Sequence, residues 1–294
     1  MVHHAVKFNL GVEKTLSIFV FGDRQAGQSG FKQEAWQQFR NEFKSTPGIK
    51  CAIGLGDYED WLRPTMREAL AAPLAKDDSA KRMLDNMVRK ENDKTIDDMD
   101  FLKEKIIALH EGHHTWKFAE GITTDQRLAS ALKVPFVGWQ ASTRLILSEG
   151  NDRNAYTILS THGNANSRTF GGSVSWMESR LTDAWIADHY IMGHGCKNGN
   201  FEPYERNFIK RNGPPGIKKS IVRCLIVGGF SEAFTNGWKS DYVERNGFTP
   251  QATGWGLIRL KIKLKFYKPN EDGQNKKHKV RLLDVEQINR HPQT

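Results

Sequence analysis

Five short apolar runs, each reaching a glycine beside an aspartate or histidine, constrain this chain more than any other feature of its sequence. The runs are LSIFVFGD (16–23), KCAIGLGDYED (50–60), EKIIALHEGHH (104–114), AYTILSTHGN (155–164) and DHYIMGHGC (188–196). Apolar runs of this length, bounded by turn residues, are typical of buried β-strands. The recurrence predicts a sheet in which several strands end at polar side chains.

The segments around these runs favour an α/β fold. FKQEAWQQFRNEF (31–43) has the periodicity of an amphipathic helix, and a helix between two strands favours a parallel crossover. WGLIRLKIKLKFY (255–267) alternates apolar and basic residues, and VRLLDVEQI (280–288) follows it after a polar loop. Together they predict an antiparallel C-terminal hairpin over 256–288. We expect one domain over 1–294 with a mixed or sandwiched sheet.

Residues 62–105 separate the second run from the third. Within them, DSAKRMLDNMVRK (78–90) and DDMDFLKEK (97–105) combine helical periodicity with charges of both signs. This pattern is typical of a solvated helix. We expect a solvent-facing helical insertion, with a cap that overhangs the site as the alternative.

The composition is that of a globular protein with an uneven charge. The chain has 294 residues, 38% of them hydrophobic, and a net charge of +9. Seven basic residues stand against two acidic ones over 197–223, and ten against four over 256–294. This excess could attract a polyanion such as a nucleic acid, and a solvated basic surface explains it equally well.

The cysteines and the N-terminus bear on the compartment. Cys51, Cys196 and Cys224 cannot all pair, and their spacing is not that of a zinc site. The first ten residues, MVHHAVKFNL, lack the apolar core of a secretory signal. No window approaches the ~18 apolar residues that span a bilayer. We expect a cytoplasmic protein without a membrane segment, with Cys51 and Cys224 in its core.

The polar residues at the ends of the runs have the chemistry of metal ligands. The carboxyl ends of strands in an α/β sheet are where ligands gather, and carboxylate and imidazole groups suit Zn, Mn or Fe. An aspartate after a strand is, by itself, more often a helix cap. The six residues at these ends are Asp23, Asp57, His113, His114, His162 and His194.

In their order along the chain, these blocks resemble the calcineurin-like metallophosphoesterases, in particular the branch common in phage and bacterial genomes. That family's pattern is Asp-x-His or Asp-x-Gln, Gly-Asp-x-x-Asp, Gly-Asn-His-Asp/Glu, a strand-end His-Gly and Gly-His-x-His. The blocks here are GDRQ, GDYED, GHHT, STHG and GHGC, within residues 16–200. The resemblance implies a layered sandwich of mixed β-sheets flanked by helices, and the host cytoplasm if the chain is phage-encoded.

The resemblance also implies two divalent metal ions, Mn, Zn or Fe. One ion would be held by Asp57, His113, His162 and His194, and the other by Asp57, Asp23, Gln25 and Cys196. Such ions lie about 3.5–4 Å apart and bind a bridging hydroxide near neutral pH. His114 corresponds to the family's catalytic histidine, which protonates the leaving oxygen.

Three positions depart from the family's pattern. His113 replaces an asparagine, Gln25 replaces the commoner histidine, and Cys196 replaces the last histidine. An amide oxygen is a weaker ligand than imidazole, and a thiolate favours Zn or Fe over Mg. Cys196 is equally well explained as a small buried thiol. Asp60 is expected to cap the following segment or to orient a ligand.

The expected function is hydrolysis of phosphate esters, with a phosphodiester in a nucleotide or nucleic acid as the leading substrate. A phosphomonoesterase that acts on nucleotides or phosphoproteins is the close alternative. A catalytically degenerate binding or scaffolding protein, or a nucleic-acid-binding subunit, is the alternative outside enzymes. Trp61 and Trp116, each just beyond a ligand block, are candidates for stacking on a base, with core packing as the simpler explanation. The oligomeric state is left open.

Overall fold

The structure is a computed structural model. It describes residues 1–11, 14–28, 30–61, 78–149, 152–164, 169–194, 199–200, 203–209, 217–231, 253–267 and 278–292.

The strands within these residues are β1 Val2–Asn9, β2 Thr15–Phe21, β3 Ile49–Gly54, β4 Ile106–His110, β5 Phe136–Gly138, β6 Gln140–Glu149, β7 Asp152–Thr161, β8 His189–Met192, β9 Gly199–Asn200, β10 Tyr204–Ile209, β11 Ile217–Val222, β12 Cys224–Ile226, β13 Trp255–Tyr267 and β14 His278–Arg290. The helices are α1 Gln33–Ser45, α2 Asp78–Met99, α3 Thr124–Leu132 and α4 Phe170–Met177, with a 3₁₀ turn at Asp100–Leu102 and a π-helical turn at Glu178–Thr182.

Two six-stranded mixed sheets form the body of the molecule. The first has the order β14-β13-β2-β3-β4-β5, in which β2 to β5 are parallel and β13 is antiparallel to both of its neighbours. The second has the order β1-β6-β7-β8-β12-β9, in which β7, β8 and β12 are parallel. Strands β10 and β11 form a separate antiparallel pair. The predicted α/β class with mixed sheets flanked by helices is confirmed.

The alternation of side chains along β2 shows why the sheets are layered. Ile18 and Val20 lie in a core cluster that also contains Leu145 and Ile158 of the second sheet. Phe19 and Phe21, on the opposite face of β2, lie in a second cluster with Trp36 and Phe39 of α1 and with residues of α3. A third cluster joins β8 to α4. Because successive side chains of a strand point to opposite faces, the two sheets pack against each other and each carries helices on its outer face.

The five predicted strand ends belong to parallel strands of these sheets. Strands β2, β3 and β4 overlap the first three apolar runs, and β7 and β8 overlap the last two; β2 and β3 begin one residue before their runs and β7 begins three residues before its run. The helix predicted at 31–43 is α1, which joins the parallel strands β2 and β3. Strands β13 and β14 are antiparallel, and Ile258, Leu260 and Ile262 of β13 are fully buried.

The predicted insertion over 62–105 is described only in part. Residues 62–77 lie outside the described residues, and α2 occupies 78–99. Met83 and Met87 of α2 are exposed, whereas Asp85, Asn92 and Thr95 are buried. The expected solvent-facing helix is therefore correct for one side of α2 only, because its other side packs on the protein through polar groups.

The core expectation for the cysteines is confirmed for Cys51 and Cys224, which are reduced and buried. Cys196 and much of the basic stretch 197–223 lie outside the described residues. Among the described residues, no helix is long and apolar enough to cross a membrane.

Candidate metal centre

Four of the predicted ligands come together where the two sheets meet. Asp57 and His113 follow β3 and β4 of the first sheet, and His162 and His194 follow β7 and β8 of the second. One ligand atom from each lies within 4.8 Å of the others. The structure thus groups the four residues that the resemblance assigns to one ion.

The spacing of these atoms suits a single ion. His162 Nε2 lies 2.8 Å from His113 Nδ1 and 3.4 Å from Asp57 Oδ2. His194 Nδ1 lies 3.1 Å from His113 Nδ1 and 3.9 Å from Asp57 Oδ2. Ligands bound at about 2.0–2.2 Å in tetrahedral geometry are about 3.3–3.6 Å apart. The measured distances lie on both sides of that range, so small side-chain movements would complete such a site.

His162 is held in the tautomer that a metal ligand needs. Its Nδ1–H donates a hydrogen bond of 2.6 Å to the carbonyl oxygen of Leu55, and the ring is fully buried. Nε2 therefore faces His113 and Asp57, and a metal ion would bind there in place of the proton that the Asp57 carboxylate stabilises on the metal-free ring. Metal-binding histidines commonly donate their other ring nitrogen in this way.

Asp57 has one oxygen fixed by the protein and one directed at the cluster. Its Oδ1 accepts a hydrogen bond of 2.9 Å from the backbone N–H of His114. Its Oδ2 is buried and has no hydrogen bond of good geometry among the described residues, and it lies 3.4 Å from Nε2 of His162. A buried carboxylate oxygen left unpaired is costly, and a cation beside it removes that cost. The burial and weak pairing of this oxygen agree with a metal ion at the cluster.

Gly112 allows Asp57 to reach this position. A Cβ atom on Gly112 would lie 2.1 Å from both the backbone nitrogen and Oδ1 of Asp57, so only glycine fits there. The backbone N–H of Gly112 donates to Asp125 Oδ2 at 2.9 Å. Asp125 was not among the predicted site residues. The capping box of Thr123 and Gln126 marks the start of α3 and could have identified Asp125 as a first-turn residue able to bind the preceding loop.

Asp23 lies beside the cluster. Its Oδ2 accepts a hydrogen bond of 2.8 Å from the backbone N–H of His194. Its Oδ1 is buried without a hydrogen-bond partner among the described residues. Burial raises the pKa of Asp23 to about 6, and the neighbouring Asp57 carboxylate adds to the rise against the opposing effect of His162 and His194. Asp23 therefore offers a second orphaned carboxylate oxygen next to Asp57.

The remaining predicted ligands of the second ion are less well defined. The hydroxyl of Ser231 lies 3.3 Å from the side-chain oxygen of Gln25 and 2.9 Å from that of Gln28, and it can donate its proton to only one of them. Cys196 lies outside the described residues. The structure therefore brings Asp23 and Asp57 together and leaves the roles of Gln25 and Cys196 as predictions.

The electrostatics of the cluster centre on Asp57 and His162. Burial opposes ionisation of both groups, but their mutual attraction lowers the pKa of Asp57 well below its usual value and raises that of His162 to about 9. Burial and the neighbouring imidazoles lower the pKa of His113 to about 3. A neutral His113 has a lone pair available for a metal, as ligation requires.

His114 lies next to the cluster and is oriented by Asp60. Its Nδ1–H donates to Asp60 Oδ1 at 2.7 Å and lies 3.2 Å from the carbonyl oxygen of Trp61. Burial alone would lower the pKa of His114, but the hydrogen bond that the ring donates to Asp60 and the charge of Asp57 raise it above its usual value. Of the two roles expected for Asp60, capping or orienting, the structure supports orienting, with His114 as its target.

Two further residues contact this region without having been predicted. His110, the last residue of β4, is fully buried, and it donates from Nδ1 to the carbonyl oxygen of Gly138 and accepts at Nε2 from Ser160. Its position at the end of an apolar run gives a signal for burial and none for ligation. Trp139 lies with its ring centroid 4.7 Å from that of His113 and is 46% exposed. Nothing in its local sequence indicates that it lies beside the cluster.

Comparisons with known proteins give structural similarities only. No protein-family model matches the chain, and no curated protein matches its sequence. Vacuolar protein sorting 29 from Cryptosporidium parvum is 13% identical over 94% of this chain and 100% of that chain, with a TM-score of 0.37. A predicted phosphoesterase from Streptococcus pneumoniae is 11% identical over 94% and 98% of the two chains, with a TM-score of 0.33.

A nucleotidase is also among the similar structures. The 5'-nucleotidase precursor from Thermus thermophilus is 10% identical over 95% of this chain and 55% of that chain, with a TM-score of 0.39. At these identities and scores, the similarities carry no argument about function. The proposals below therefore rest on the residues of the site.

Proposed function

We propose that this chain is a metal-dependent phosphoesterase, with a phosphodiester in a nucleotide or nucleic acid as its substrate. The observation that supports this most is the convergence of Asp57, His113, His162 and His194, whose ligand atoms lie within 4.8 Å of one another. The two orphaned carboxylate oxygens, on Asp23 and Asp57, are what a cation site in this place requires. The mixed oxygen and nitrogen donors suit Mn, Zn or Fe.

The chemistry that a divalent ion supplies at such a site is a lowered pKa of water and neutralisation of charge on phosphoryl oxygens. The first ion would be held by Asp57, His113, His162 and His194. The second would lie between Asp57 and Asp23, with Gln25 and Cys196 as its further proposed ligands. The carboxylate of Asp57, fixed by the N–H of His114, would then belong to both sites.

His114 is the proposed general acid. Its Nδ1–H is engaged with Asp60, so Nε2 is the nitrogen that can donate a proton to the leaving oxygen. The raised pKa of His114 favours the protonated imidazole that a general acid needs. Asp57 and Asp60 together position the backbone and the ring of His114, which makes proton delivery directional.

A binding role is the second candidate, and one observation favours it. The amide oxygen of Gln25 is a weaker ligand than imidazole for a second ion, and the hydroxyl of Ser231 lies only 3.3 Å from it. A protein that binds one ion or none and uses its basic charge to hold a polyanion would agree with that arrangement.

Turnover of two model substrates tests the proposal. We expect hydrolysis of bis-p-nitrophenyl phosphate after addition of Mn, Zn or Fe, at a higher kcat/KM than for p-nitrophenyl phosphate. Asp57→Asn should reduce kcat/KM by at least about 100-fold, because the neutral amide is a poor metal ligand. Asparagine tolerates the left-handed backbone of this position, so the variant keeps the fold.

The matched control is Asp93→Asn, which removes an exposed carboxylate that pairs with Arg127 on the surface. It should leave kcat/KM unchanged. A preference for the monoester would favour a phosphomonoesterase. Absence of metal-dependent turnover of either substrate would overturn the enzymatic proposal.

A further inference from the structure

Trp139 is a rigidly held aromatic residue at the border of the candidate metal centre. It lies between β5 and β6, directly after Gly138, whose φ of 63° turns the chain there. Its carbonyl oxygen accepts hydrogen bonds from the backbone N–H of His162 at 3.2 Å and from the hydroxyl of Thr161 at 2.9 Å. The backbone of Trp139 is therefore fixed by the segment that carries one of the proposed ligands.

The indole ring lies against the imidazoles and is also open to solvent. Its centroid is 4.7 Å from that of His113, at an interplanar angle of 62°, and 5.8 Å from that of His162. Nearly half of the side chain, 46%, is exposed. A group esterified to a phosphate held at the cluster would thus have an exposed aromatic surface beside it.

Trp61 and Trp116, the other tryptophans near the ligand loops, differ from Trp139 in the hydrogen bonds that their indole groups donate. Trp61 donates its indole N–H to Glu59 Oε2 at 2.5 Å, and Trp116 donates to Asp85 Oδ1 at 2.8 Å. Glu59 and Asp85 are buried, so these two indoles are tied to the interior. Among the tryptophans that the structure describes, Trp139 has both the exposure and the contact with the cluster.

We propose that Trp139 is the stacking platform for a nucleobase in the substrate, a role that rests on the proposed phosphoesterase function and narrows its substrate class to nucleotides and their esters. Stacking on an aromatic side chain is sequence-tolerant because every base has a π-face. Phosphate held at the cluster and a base on Trp139 would be recognised separately. The base should then contribute to affinity without altering recognition of the phosphate.

Adenosine monophosphate and ribose 5-phosphate test this directly, because they share the phosphate and the sugar and differ in the base. Equilibrium dialysis with the metal-supplemented protein should show that adenosine monophosphate binds roughly 5- to 150-fold more tightly. Trp139→Ala should abolish this preference and leave the Kd of ribose 5-phosphate unchanged. Trp139→Phe should retain most of it, and Trp139→Leu should not.

Trp185→Ala is the matched control, since Trp185 is 44% exposed but lies between the π-helical turn and β8. It should preserve the preference. Equal affinity of the wild type for both compounds, no binding of either, or equal loss of both in Trp139→Leu would overturn the stacking role. Failure of the proposed phosphoesterase function would give a different result. Neither p-nitrophenyl ester would be hydrolysed, but the wild type would still bind adenosine monophosphate more tightly than ribose 5-phosphate.

Discussion

At the scale of residues, four of the seven proposed ligands share an uncommon backbone conformation. Asp23, Gln25, Asp57 and His194 have φ values of 45°, 48°, 53° and 61°. This left-handed region costs a non-glycine residue about 1–2 kcal/mol, and such residues persist where their surroundings over-determine them. The hydrogen bonds from Asp23 N–H to Gly56 O and from Gln25 N–H to Asp57 O are part of that support. The geometry of the site therefore depends on the backbone conformation of the loops as well as on the side chains.

Sequence reasoning located these residues by their chemical type and their place after apolar strands. It could not assign the partners of Asp60 or Asp125, because those partners lie 54 and 13 positions away along the chain. Hydrogen bonds across loops follow from tertiary packing, and the pattern of hydrophobic residues does not encode them. The ligand types were thus predictable, whereas the groups that orient them were not.

His189 provides a prediction on pH that is independent of the metal centre. Burial lowers the pKa of His189 to about 3, with Arg223 adding repulsion, whereas an unfolded histidine has a pKa of about 6.5. Between these values, the unfolded chain binds a proton that the folded chain excludes. Stability should therefore fall as the pH drops below 6.5, by up to about 1.4 kcal/mol per pH unit.

Urea unfolding gives the free energy of unfolding of the wild type and of His189→Gln at pH 7 and at pH 5. The loss of stability between the two pH values is then compared for the two proteins. The variant should lose less stability on acidification, and the exposed His3 of β1, changed to Gln, should behave as the wild type does. Equal slopes for all three proteins would show that His189 does not titrate in this way.

At the scale of elements, α2 differs most from its sequence pattern. Its mixed charges indicate a solvated helix, yet Asn92 donates to buried Glu59 at 3.1 Å and Asp98 pairs with buried Arg24. The guanidinium of Arg24 also lies 4.8 Å from the ring centroid of Trp36. The inward side of α2 also carries the buried apolar residues Val88 and Met99, but polar residues interrupt this stripe, so the periodicity alone did not reveal how much of the helix is buried. Both Glu59 and Arg24 belong to the loops that carry the proposed ligands.

Two aspartates on α2 allow the contribution of a buried ion pair to stability to be compared with that of an exposed ion pair. Asp98→Ala should lower the free energy of unfolding by about 2–3 kcal/mol, because the side chain of Arg24 is only 4% exposed and would lose its partner. Asp93→Ala breaks an exposed pair with Arg127, and should change stability by less than about 1 kcal/mol. Thermal denaturation of the two variants measures the difference. Equal melting temperatures would contradict the proposed anchoring of α2 through Arg24.

At the scale of the whole molecule, the candidate site joins the two sheets. The first sheet supplies Asp57 and His113, and the second supplies His162 and His194. Grouping of the ligands within each sheet was predictable, because the carboxyl ends of parallel strands meet at one edge. The meeting of the two edges at one site depends on how the sheets pack, which the runs do not encode. The pairing of β1 with β6 was not, since β1 is only half-buried and its partner lies more than 130 residues away. Local sequence carries little information on such pairings.

The central claim is that the residues joining the two sheets bind a divalent metal ion. The measurement is elemental analysis after the protein has been saturated with Mn, Zn or Fe and dialysed, with Asp57→Asn and Asp93→Asn treated in parallel. We predict at least one ion per chain for the wild type and Asp93→Asn, and a loss of most of the metal in Asp57→Asn. No retained metal in the wild type, or equal metal in Asp57→Asn, would contradict this account.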